Sequence, residues 1–86
     1  METRVAVISI IVEKEEAAPR LNELFHRSRQ WIIGRMGIPY RQKNVSIVSI
    51  ALDAPQDVIA ALAGQIGKLE GVSVKTAYSS LISKEG

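Results

Sequence analysis

A single histidine, His26, and the complete lack of cysteine set narrow limits on the chemistry this chain can perform. Without thiols there are no disulfides, thiolate metal sites, iron–sulfur ligation or cysteine nucleophiles. One imidazole cannot build a two-histidine site within one chain. His26 lies between Phe25 and Arg27, near the end of an expected helix, where a positive charge favours the helix dipole. Ser9 and Ser49 have no histidine or lysine at the spacing of an activated serine, and read as sheet residues. Glu13, Glu15 and Glu16 read as a solvated helix start rather than an acid/base pair. The residue inventory therefore predicts no catalytic residue, no metal site and no cofactor, and a protein that is not an enzyme.

Two features could bind rather than react. Between Glu23 and Asp53 there is no acid, while Arg27, Arg29, Arg35, Arg41 and Lys43 all fall in that interval. The simpler reading is a solvated basic edge around a hairpin; the sharper one is a surface that attracts an anion. Within the same interval, Gly34-Arg35-Met36-Gly37 is the most unusual tetrapeptide. Glycine weakens a strand and marks either a bulge or a close backbone approach. It is not a phosphate loop, because the lysine and following helix of that motif are missing.

The elements that must position these residues can be read in order. Arg4 to Val12 is almost all strand former, too short and too β-branched for a helix. From Glu15 to Arg27 the period changes, and Ala18, Leu21, Leu24, Phe25 and Ser28 share one helical face. Trp31 to Tyr40 reads as a second strand, at an edge because Pro39 cannot donate to a ladder. Arg41-Gln42-Lys43-Asn44 supplies a hairpin turn into a third strand, Val45 to Leu52. Asp53-Ala54-Pro55-Gln56 then offers an N-cap acid, a first-turn proline and a capping-box glutamine. The helix it opens runs to about Ile66, burying Val58, Ile59, Leu62, Ala63 and Ile66, with Gly67 as the residue just past its end. A turn at Leu69-Glu70-Gly71 leads into a fourth strand, with Val72, Val74, Thr76 and Tyr78 on one face. One domain over residues 1–80 is expected, with residues 81–86 as a frayed tail.

Shifting the sequence by 40 residues aligns Val5–Glu13 with Val45–Asp53, with identities at Val5/Val45, Ser9/Ser49 and Ile10/Ile50. Each half is a βαβ unit. Right-handed crossovers in both then give an α+β, ferredoxin-like βαββαβ sandwich: a four-stranded antiparallel sheet in order 4-1-3-2, with two helices on one face. Ala6, Ile8, Ile10, Val12, Val48, Ile50 and Leu52 would meet the helices. The opposite face carries Val5, Val7, Ser9 and Ile11 with Val45, Ile47, Ser49 and Ala51, and six of those eight are apolar. A water-facing sheet surface should alternate to polar, and a patch of this kind is usually covered. A homo-oligomer, dimer or tetramer, through the helix-free sheet face is expected.

Composition bounds the setting. The chain has 86 residues, 47% of them apolar and 23% charged, so one domain is the limit and the core is small. A net charge of +2 gives no strong electrostatic case for direct nucleic-acid binding. No apolar run approaches the ~20 residues that span a bilayer, and no signal-peptide pattern precedes the first strand. A cytoplasmic location without membrane association is expected. The fold hosts several activities, but the first and third strands lack the aromatics of an RNA-recognition motif. There is likewise no Cys-x-x-Cys loop for a copper chaperone, and Glu13-Lys14-Glu15-Glu16 has the wrong charge for the anion cradle of an acylphosphatase.

From Met1 to about Ser80 the sequence resembles the small ACT-like proteins named as regulators of the iron-only hydrogenase system. Five stretches carry the resemblance: Arg4–Val12, Gly34–Arg41, Val45–Ile50, Asp53-Ala54-Pro55 and Gly71–Thr76. Gly34–Arg41 is the most specific of them. The resemblance implies an ACT-like, ferredoxin-like domain with a regulatory role in that system. Metal-responsive relatives bind through histidine and cysteine, and amino-acid-binding ACT domains carry glycine after the first strand; this chain has neither pattern.

Together these features lead to the expectation of an oligomeric, ligand-sensing regulatory module, non-catalytic and without a DNA-binding domain of its own, so that any effect on transcription is indirect. A small anionic ligand is expected to meet Gly34, Arg35, Gly37 and Arg41 at a subunit interface. The alternatives are a scaffold domain that binds a partner protein through the apolar sheet face, and a small enzyme that would need an inward polar cluster around Ser9 or His26.

Overall fold

The computed structural model describes residues 2–83. In chain order the elements are β1 (Thr3–Val12), a 3-10 turn (Glu15–Ala17), α1 (Ala18–Arg27), a second 3-10 turn (Arg29–Trp31), β2 (Ile32–Tyr40), a third 3-10 turn (Arg41–Lys43), β3 (Val45–Ala54), α2 (Gln56–Gly67) and β4 (Val72–Ser83). The sheet is antiparallel in order β2-β3-β1-β4, which is the expected 4-1-3-2 order counted from the other edge. Ser9 stands opposite Ser49 in the β1–β3 ladder. These two serines are also equivalents in the 40-residue repeat, so the pseudo-two-fold axis relating the two βαβ halves passes between them.

Period-2 alternation decides the layers. Ala6, Ile8, Ile10 and Val12 of β1 and Val48, Ile50, Leu52 and Ala54 of β3 are buried beneath the helices. The helices close this core with Leu21, Leu24 and Phe25 of α1 and Ile59, Leu62 and Ile66 of α2, the i, i+3, i+4 faces read from sequence. Pro19 sits in the first turn of α1, where its missing N–H costs no helical bond.

Three boundaries differ from expectation, each for a local reason. Asp53 does not cap α2: β3 continues through Ala54, and Pro55, extended at φ −57° and ψ 145°, is the residue before the helix. A residue that precedes proline is driven away from the helical region, so Ala54 prolongs the strand and the helix opens at Gln56. Gly67 is the last residue of α2 rather than the one beyond it. A Cβ there would lie 3.2 Å from Val74 Cγ1, so its smallness serves the packing of α2 on β4. β4 runs to Ser83, beyond the predicted Tyr78, because Arg4 and Thr3 of β1 offer partners to Ile82 and Ser83. The predicted tail is thus strand as far as residue 83, and residues 84–86 lie outside the described residues. A bulge in β4 accompanies this extension, opposite Arg4–Ala6; Arg4 Nε donates to the Ser79 carbonyl at 2.6 Å, and its guanidinium lies 4.9 Å from the Tyr78 ring centroid.

Gly71 closes the α2–β4 turn at φ +78°, and its carbonyl accepts the Glu13 N–H at 2.7 Å. An added Cβ would lie 2.6 Å from Lys14 Cγ. Gly71→Ala therefore combines a left-handed backbone with a steric clash, and is expected to cost about 1–3 kcal/mol in urea denaturation. A wild-type midpoint would show that the turn relaxes freely.

Candidate ligand-binding cleft

Two helices cannot cover four strands equally, and β2 is left with little above it. On its helix side β2 presents Arg35 opposite Ile50 and Gly37 opposite Val48, with Pro39 next in the alternation. All three β2 residues are exposed, whereas Val48 and Ile50 are buried. The result is a cleft of about 750 Å³ between the start of α1 and the β2–β3 hairpin, within the size range of small-molecule sites. Val12, Leu21 and Val48 contribute to its apolar lining.

Arg35, Gly37 and Arg41 all line this cleft; Gly34 does not. Gly34 pairs with Ala51 and belongs to the helix-free face of the sheet. Between Ile32 and Gly34 the β2–β3 register shifts by one residue, so Ile33 forms a bulge just ahead of the glycine pair. Gly37 is the glycine of the cleft. A Cβ on Gly37 would meet no atom within 4 Å; the missing side chain leaves open volume.

The basic residues of the acid-free interval are not equally available. Arg27 pairs with Glu23 at 2.6 Å, and Arg29 Nη1 donates to the His26 carbonyl at 2.9 Å. Arg35 crosses to α1: its Nη2 donates to Asn22 Oδ1 at 3.3 Å, and its guanidinium lies 4.8 Å from the Phe25 ring centroid. It therefore braces one wall of the cleft while its remaining N–H donors stay uncommitted. Arg41 is exposed in the hairpin turn with no ion pair among the described residues. Asn44, left-handed at φ 54° and ψ 40°, ends that turn and also lines the cleft; sequence reasoning passed over it as a polar turn residue.

The opposite wall bears Glu13, Glu15 and Glu16. Lys14 lies on the same segment and is tied to Glu70. That hydrogen bond and charge raise the Lys14 ammonium above its ordinary pKa and lower the Glu70 carboxyl below its own. Lys14 is thus already matched, and among the described residues the cation lining the cleft without a partner is Arg41.

Ser9 and His26 are not brought together. Ser9 is exposed on the helix-free face, and His26 is exposed in the last turn of α1, in the other layer. The inward polar cluster on which an enzymatic reading depended is not formed by these two residues. No group of three or more potential metal ligands occurs among the described residues, and no helix among them is long and apolar enough to cross a membrane.

Sheet order, two-helix layer and lateral cleft define a small ferredoxin-like α+β domain. More particularly, the chain belongs to the TM1266-like family, described as "Iron-only hydrogenase system regulator, putative", whose model matches residues 4–76. The solved structure of the uncharacterized protein TM1266 from Thermotoga maritima is similar at 36% identity and a TM-score of 0.85, over 88% of this chain and 96% of that one. A formyltetrahydrofolate deformylase from Pseudomonas putida shares the fold at 11% identity and a TM-score of 0.62, over 85% of this chain but 28% of its own. A de novo designed protein, Foldit4, does so at 19% identity and 0.56, over 94% and 99% of the two chains. The curated proteins contain no match.

The cleft separates two arginines by role. Arg35→Ala removes a hydrogen bond and a cation–ring contact and should lower stability by about 1 kcal/mol, whereas Arg41→Ala should stay within about 0.5 kcal/mol of wild type. Chemical denaturation of both variants checks this, and equal losses would mean that Arg35 does not brace the wall.

Proposed function

We propose that this chain is an oligomeric, non-catalytic regulatory module of the iron-only hydrogenase system, which senses a small anionic ligand in the cleft between α1 and the β2–β3 hairpin. The observation that carries this reading is Arg41, a guanidinium without an ion pair among the described residues, at the edge of a partly apolar cleft whose floor is opened by Gly37. Arg35 supplies further donors from a fixed position, and planar guanidinium groups are suited to carboxylate and phosphate oxygens. The acidic wall opposite favours a ligand that is an anion at one end and a hydrogen-bond donor at the other.

Membership of the family supports the regulatory part of this reading. The residue inventory supports the non-catalytic part, since Ser9 and His26 stand in different layers. Regulation acts through ligand-dependent contacts with other proteins, and any effect on transcription is indirect. The apolar helix-free face favours a second reading, in which the chain is a scaffold for a partner protein.

Calorimetric titration with inorganic phosphate, malonate and citrate tests the site. At least one should bind, with affinity falling about tenfold or more in Arg41→Ala, the loss of one charge-assisted bond. Gly37→Val should abolish binding while leaving stability unchanged or slightly raised, because the new side chain enters open space on a strand that favours β-branched residues. Absence of binding by all three anions, together with a native mass equal to the bare chains in protein from its own host, would sink the sensor reading.

A further inference from the structure

The helix-free face carries one acid and one base at its paired positions, Asp53 on β3 and Lys75 on β4, and neither has an ion-pair partner among the described residues. Asp53 is half-buried and Lys75 is exposed. The two charges also stand in a simple geometric relation. Asp53 is opposite Val5 on one side of β1, and Lys75 is opposite Ser9 on the other. The line joining them therefore passes over Val7 at its midpoint, with about 8 Å on either side at ordinary strand spacings. Val7 is 37% exposed and stands between Ala51 and Ala77, so it rises above two small neighbours.

An interface between two copies about a two-fold axis must be self-complementary, with residue i on j and j on i. An axis lying in the interface plane, through Val7 and perpendicular to the Asp53–Lys75 line, satisfies this condition. It sets each Asp53 over the partner's Lys75, giving two identical ion pairs on either side of a Val7–Val7 contact. The same axis, continued across β3, passes over Met36, which is level with Ser49 and Ser9 and 46% exposed. Met36 would then meet the Met36 of the partner. The strands of the two sheets cross at roughly 70°, nearer to orthogonal than to aligned packing. Covering this apolar face removes it from water, the main favourable contribution to association.

We infer that the occupant of the helix-free face is a second copy of this chain, docked about a two-fold axis over Val7 and held in register by reciprocal Asp53–Lys75 ion pairs. This rests on the reading of the chain as an oligomer and adds the partner's orientation to it.

Charge exchange tests the register. Asp53→Lys and Lys75→Asp, each alone, place like charges together twice and should weaken self-association by at least about 100-fold, read by sedimentation equilibrium. An equimolar mixture of the two variants should associate again as a heterodimer, because both pairs are then restored; the double exchange should restore the homodimer. Should a single exchange prevent folding, as seen by circular dichroism, Asp53→Asn and Lys75→Gln serve instead. Each should weaken association by about tenfold, and the double variant should be no weaker than either one. A monomeric wild type, single variants that stay dimeric, or a mixture that fails to associate would overturn the proposal. So would native mass spectra in which a different protein replaces the second copy. Phosphate, malonate and citrate titrations on the dissociated variants separate this proposal from the sensor reading: retained binding without dimers, or dimers without binding, shows which of the two fails.

Discussion

The antiparallel pairing of β1 with β3 is the constraint on which the rest of the molecule depends. Its register sets Ile8 opposite Ile50 and Val7 opposite Ala51, and the side-chain period of two then sorts every residue of both strands to one face or the other. A slip of β1 by one residue would carry Ser9 into the core and expel Ile8 and Ile10. Because the helix-side residues are almost completely buried, such a slip is strongly disfavoured. The same register fixes Val48 as part of the cleft floor and Val7 as the centre of the uncovered face, so both candidate binding surfaces are by-products of one ladder.

The cleft follows from unequal coverage. α1 and α2 bury the helix side of β1 and β3, whereas β2 pairs with β3 alone. On β2 the sequence uses Arg35, Gly37 and Pro39 where a covered strand would use aliphatic residues. Arg35 reaches back to α1 and substitutes a hydrogen bond and a ring contact for hydrophobic packing. Gly37 leaves space, and Arg41 leaves charge. These three positions make sense together as the floor and rim of a recess, and they make little sense as parts of a packed sheet.

Most of the architecture was legible because its signals are local. β-branched runs, a change from period two to period three and a half, and turn residues at Arg41–Asn44 and Gly71 specify elements without knowledge of their partners. The misread positions were those where a neighbour in space decides. Asp53 has the composition of a cap but lies in a strand prolonged by Pro55, and Gly67 reads as a helix stop yet exists to admit Val74. Of the proposed binding residues, Arg35, Gly37 and Arg41 line one cleft, while Gly34 falls on the other face because successive residues of a strand alternate and it stands one place from Arg35 and three from Gly37. The contribution of Asn44 and of the acidic wall could not be read in advance, since only the packing of α1 against the hairpin brings those segments to one recess.

The central position of β1 has a consequence for the order in which the chain can fold. β1 pairs with β3 on one side and β4 on the other, and β4 begins at Val72. At synthesis rates of about 5–20 residues per second, β1 emerges from the ribosome roughly 3–12 seconds before β4 does. During that interval an apolar strand at the middle of the future sheet keeps one edge open, and pairing with β3 can relieve only the other. Completion of the domain is therefore tied to long-range pairing that no early segment can replace.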